Sequence, residues 1–91
     1  MDPADVTLDP HLVSLADVLA SHVHETWSRI RRGEGWRVGP RRDDDRKEHP
    51  LLLAYDALPE SEKACDREVA LAVLKAVVAA GFDIRKRDIR S

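Results

Sequence analysis

Apolar and polar positions divide the chain into two stretches with a helical period and a polar segment between them. Leu12, Leu15, Ala16, Leu19, Val23, Trp27 and Ile30 recur at spacings of three and four, which sets them on one face of an amphipathic helix. Asp9 followed by Pro10 is a good start for it. The carboxylate can accept from backbone N–H groups that lack intrahelical partners, and proline suits the first helical position. The pattern predicts a helix over residues 10–32, ending near Gly33 and Gly35.

Residues 33–49 hold the Gly39-Pro40 pair and a run of charges, so regular helix is not expected there, although Trp36-Arg37-Val38 can form a short extended piece. Pro50 opens the apolar run Leu51, Leu52, Leu53, Ala54 and Tyr55, long enough for a two-turn helix. Leu58-Pro59 interrupts it. Pro59 can begin a further helix whose early acids, Glu60 and Glu62, complement its positive end, with Asp66 as a second possible cap. Val69, Ala70, Leu71, Val73, Leu74, Val77 and Val78 then form a wide apolar face. Gly81 stands where a left-handed C-terminal cap is expected, and Phe82 and Ile84 are expected to fold back onto the core. Residues 1–9 read as an extended or frayed lead-in still able to pack, and residues 85–91 as a charged tail.

Composition adds bounds to this mainly α-helical outline. Ninety-one residues suit one domain with one apolar core, and 43% hydrophobic against 35% charged residues is globular rather than disordered. No apolar run approaches the roughly 18–20 residues that span a bilayer, and Asp2 and Asp5 stand where a secretory leader would be basic, so a cytoplasmic protein is expected. The single cysteine, Cys65, cannot form an internal disulfide. The net charge of −2 argues against specific nucleic-acid binding, but its distribution is uneven. No Lys or Arg precedes Arg29, and most of the basic residues fall in the middle segment or the tail, where an anion would be drawn.

Most candidate chemistry weakens on inspection. His22 and His24 are two apart on the predicted helix and face away from each other, so they do not make a metal pair; solvent-facing or hydrogen-bonded roles are expected for the histidines. Asp43-Asp44-Asp45 lacks the alternating spacing of a calcium loop and reads as a turn former that pairs with Arg41, Arg42 and Arg46. Cys65 has no adjacent histidine and reads as a packing residue, and no nucleotide-loop, dinucleotide or zinc-protease motif is present. No enzyme activity, metal or cofactor is expected. The tryptophans and arginines remain. Trp27 or Trp36 can stack on a planar base while Arg37, Arg41 or Arg42 meets phosphate; the alternative is that both indoles are core.

The ordered series HVHETW (22–27), GW (35–36), GP (39–40), RDD (42–44), HP (49–50), LPESEK (58–63) and the LK and AAGF pieces between 74 and 82 resembles the RyR domain. That domain is the repeat of the cytosolic part of ryanodine receptors, also found as single copies in bacterial and phage proteins. The resemblance covers residues 10–84 and identifies the chain with the single-copy type. It implies two principal helices, a short helix, and a long ordered loop with minor strand character. In the receptors the repeats come as tandem pairs, and one pair holds an adenine nucleotide through the tryptophan of its HELW motif and an arginine of its GPxRDD motif. By that resemblance the positions here are Trp27 and Arg42. The chain departs from the receptor pattern in reading HETW for HELW and GPRRDDD for GPVRDDN.

The expectation is therefore a non-enzymatic binding module for a nucleotide-like anionic small molecule. Trp27, with Trp36, would stack on the base; Arg42, helped by Arg37, Arg41 and Arg31, would meet phosphate; His49 and Asp43 would shape the loop. One copy cannot make the tandem interface by itself, so a homodimer is expected to recreate it. The alternative is a protein-interaction or dimerisation module without a small-molecule ligand.

Overall fold

The computed structural model describes residues 2–87 of the chain. Two helices dominate it, α1 over Pro10–Gly33 and α2 over Glu60–Ala79. Between them lie two short strands, β1 (Arg37–Val38) and β2 (Glu48–His49), and a 3-10 turn at Tyr55–Ala57. None of the described helices is long and apolar enough to cross a membrane.

Local chemistry sets the ends of α1. The Asp9 carboxylate accepts from the His11 N–H at 2.8 Å, and Pro10 fills the first helical position. At the other end Gly35 takes φ +92°, so that its own N–H reaches Arg32 O and the Trp36 N–H reaches Arg31 O, both at 3.0 Å. The same paired closure ends α2, where Gly81 has φ +98° and the N–H groups of Gly81 and Phe82 return to Val78 O and Val77 O.

The main core lies between the first half of α1 and α2. Ala16, Ala70 and Leu74 are buried there, with Leu12, Leu15, Leu19, Leu71, Val78 and Ile84 packed around them. The lead-in belongs to this core. A 3-10 turn at Pro3–Asp5 delivers Val6 and Leu8, alternate residues of an extended piece, into it. A second cluster, Ala20, Tyr55 and Leu58 with Leu51 and Leu53, joins the second half of α1 to residues 50–58, the strap.

Several expectations are corrected. The buried line of α1 is Ala16, Ala20, His24 and Ser28, whereas Val23 and Ile30 are 60% and 51% exposed. Steps of four advance the buried line around the helix, and α2 covers only the first half, so the line turns onto the strap and carries polar residues there. The Leu51–Tyr55 run forms no two-turn helix; the short helical element is the 3-10 turn one step later. The carbonyls of Leu52 and Leu53 are taken by side chains of α1, which replaces the bonds a helix would have made. Asp66 caps nothing, because α2 runs unbroken from Glu60. Val69 and Val73 are exposed, as is Phe82, while Ile84 does return to the core. Cys65 is exposed rather than packed. Of the charged tail, residues 88–91 lie outside the described residues.

The middle loop is closed by backbone bonds. β1 and β2 pair in parallel, Arg37 opposite Glu48 and Val38 opposite His49. Asp43 and Glu48 exchange two bonds of 2.9 Å, bracketing a turn in which Lys47 adopts φ +54°. Lys47 Nζ then donates to Glu34 O at 2.8 Å, tying the turn to the end of α1. Gly39 must remain glycine, because a Cβ there would stand 2.6 Å from Glu48 Cβ. Gly39→Ala is expected to cost about 1–3 kcal/mol through this overpacking, read as a lower urea midpoint with the helical circular dichroism retained.

Candidate ligand-binding site around Trp27

The strap is held by polar side chains of α1. Arg32 Nη2 donates to Leu52 O and His24 Nε2 to Leu53 O, each at 2.7 Å. A carbonyl can only accept, so Nε2 of His24 carries a proton. The Tyr55 N–H donates to Glu25 Oε1 and its hydroxyl to Asp17 Oδ1, both at 3.1 Å. Asp17, Glu25 and Arg32 are seven or eight residues apart, about two turns, so they fall on one line of the helix with His24 beside it. Tyr55 is buried, and burial first, then its bond to the Asp17 carboxylate, raises the phenol pKa above the ordinary 10.0. Arg67 of α2 braces the same carboxylate at 3.4 Å and Glu60 at 3.1 Å.

This attachment builds a cavity beside Trp27. Leu51 and Leu58 of the strap, His49 of β2, and Glu62 and Asp66 of α2 stand around Val23, His24 and Trp27, enclosing about 310 Å³. Trp27 is half-buried and fixed on two sides. The His49 ring meets it edge-on at 5.1 Å and 76°, and the His24 ring lies at 5.6 Å. His49 is itself oriented, since its Nδ1 accepts from the Leu51 N–H at 3.1 Å. Trp36 lies 6.5 Å from His49 between ring centroids, so the two indoles flank one imidazole.

The structure brings together only part of the expected site. Trp27 and His49 share the cavity, but none of Arg31, Arg37, Arg41 and Arg42 lines it. Arg42 is exposed and bonds Asp44 at 2.9 Å, and Arg37 meets Glu48 at 3.3 Å. Arg41 is exposed and in no ion pair among the described residues. Arg31 pairs with Glu34 at 2.8 Å, leaving its Nε buried without a partner. Asp43 shapes the loop: besides its backbone bonds to Glu48, its carboxylate accepts from the Arg46 N–H at 3.1 Å.

Sequence reasoning missed Glu62 and Asp66, whose spacing of four puts them on one face of α2. That spacing was legible, but the direction in which the face points was not. A larger cleft of about 670 Å³, between the start of α1 and Ile84–Lys86, contains none of the expected site residues. Among the described residues no group of three His, Cys, Asp or Glu side chains is placed to hold a metal ion.

Compared with known protein families, residues 1–86 match the one described as the RyR domain. The matched span takes in the lead-in, in keeping with the burial of Val6 and Leu8.

The Tyr55 bond gives a pH-dependent prediction. A phenol pKa that is higher in the folded than in the unfolded state contributes stability that is complete below the unfolded value and lost as pH rises through the folded one. Tyr55→Phe is expected to be less stable than wild type by about 0.5–1.5 kcal/mol near neutral pH. The gap should narrow above about pH 10, as measured by urea unfolding of both proteins across that range.

Proposed function

The chain belongs to the RyR domain family, and on that footing we propose that it is a non-enzymatic binding module that holds an adenine or other signalling nucleotide between two copies of itself. It would act in the cytoplasm as a single-copy member of the bacterial or phage type. Trp27 of one copy lies against the base, and Arg42 of the other, with Arg37 and Arg41 beside it, meets the phosphates. His49 and Trp36 hold the indole and the loop in place, Asp43 keeps the loop closed, and Arg31 sits where helix meets loop.

The observation that carries this reading is the separation of the two groups. The indole borders a cavity with no arginine or lysine in its walls, whereas the loop arginines are exposed outside that cavity. A single copy thus offers a base platform without charge for a phosphate, and charge without a platform. Two copies about a twofold axis would supply both, twice over.

A second reading rests on Val23 and Ile30, about one turn to either side of Trp27 and more than half exposed. That uncovered apolar stripe suits burial against another protein or a second copy, with no small molecule involved.

Titration calorimetry and sedimentation with ATP, ADP, AMP and cyclic nucleotides test the first reading. Saturable heat and a nucleotide-dependent dimer are expected, both weakened in Trp27→Ala and Arg42→Ala. Loss of one stacked base corresponds to roughly 1–3 kcal/mol, or about 5- to 150-fold in affinity. A dimer that forms without nucleotide and dissociates in Val23→Asp favours the second reading. A monomer that gives no heat with any nucleotide overturns the first.

A further inference from the structure

The charge of the Trp27 cavity points to an occupant that the nucleotide reading does not supply. Glu62 and Asp66, four apart on α2, are both half-buried in its wall, and neither has a cationic partner among the described residues. The nearest bases on the same helix are engaged elsewhere, Lys63 with Glu60 at 3.8 Å and Arg67 with Glu60 and Asp17. The same cavity is lined by the indole of Trp27, the rings of His24 and His49, and apolar Val23, Leu51 and Leu58. Two acids without cationic partners and an aromatic ring in the walls of one recess attract a cation and repel a phosphate.

We propose that the Trp27 cavity of a single copy is a receptor for a guanidinium group. A guanidinium is flat enough to lie on the indole, it is more weakly hydrated than an ammonium, and its forked donors match carboxylate oxygens in pairs. The volume agrees. About 310 Å³ is at the lower limit for a ligand pocket and leaves ample room for a planar guanidinium head group. The inference goes beyond the nucleotide reading and does not depend on it, since it concerns the recess of one copy and not a site completed by two. The guanidinium could come from a free small molecule, from an arginine of another polypeptide, or from the loop of a second copy, where Arg41 is exposed and in no ion pair among the described residues.

The test uses the full wild-type chain. N-acetyl-arginine amide, its neutral citrulline counterpart, a Gly-Arg-Gly peptide and AMP are titrated against it by calorimetry. Saturable binding of the arginine amide is expected, weakening as salt is raised. It should be at least about tenfold weaker for the citrulline compound and for a Glu62→Gln/Asp66→Asn variant whose circular dichroism matches wild type. Equal binding of arginine and citrulline, or full binding by the double variant, overturns the proposal.

The same experiment identifies the source. A peptide that binds more tightly than the amide indicates another polypeptide, and equal affinities indicate a free guanidinium compound. A concentration-dependent dimer lost in both Arg41→Ala and the double variant indicates a second copy. The nucleotide titrations separate the two proposals. Arginine amide binding by a chain that gives no heat with ATP, ADP, AMP or cyclic nucleotides removes the nucleotide reading alone, and nucleotide binding without arginine amide binding removes this one alone.

Discussion

The architecture depends on how the buried backbone of the strap is satisfied. Leu52 is 1% exposed and Leu53 half-buried, and their carbonyls lie outside any helix that could supply donors. An unpaired buried carbonyl costs about 1–3 kcal/mol, a large share of what a domain of this size has to spare. Arg32 and His24 remove that cost with two bonds of 2.7 Å, and Glu25 does the same for the Tyr55 N–H. One helix thereby serves as scaffold for both neighbours, apolar toward α2 in its first half and polar toward the strap in its second.

The cavity follows from that attachment. With the strap fixed, Leu51 and Leu58 form its apolar side, and the Leu51 N–H orients His49 so that its ring meets Trp27 edge-on. β2, which carries His49, also anchors the loop: β1 pairs along it, and the Asp43 turn closes back on Glu48. The loop arginines are therefore presented on a braced surface. They remain apart from the indole, since the walls of its cavity come from α1, β2, the strap and α2 and include none of them. The aromatic and the cations belong to different surfaces of one copy, and what each attracts is decided by different neighbours.

Much of the fold was legible because it is locally encoded. Asp9-Pro10, Gly35 and Gly81 work through backbone groups within a turn of themselves, so the ends of α1 and the C-terminal cap of α2 could be read from short stretches of sequence. The loop's strand character and the turn-forming role of Asp43 were readable for the same reason. The buried line of α1 was not. Val23 and Ile30 fit the helical period better than His24 and Ser28, and only the distant Leu52 and Leu53 carbonyls make polar residues the right ones to bury. The candidate site was half legible on similar grounds. Trp27 and His49 stood out by type, whereas Glu62 and Asp66 look like ordinary surface acids until the crossing of α2 over α1 is known.

The central claim is that polar side chains of α1, and not apolar contact alone, fix the strap. The most direct measurement is the ring-nitrogen NMR correlation spectrum of His24 at neutral pH. A proton on Nε2 that exchanges slowly with water is expected, because Leu53 O holds it. A proton on Nδ1 alone, or a rapidly exchanging ring that samples both tautomers, would contradict the claim.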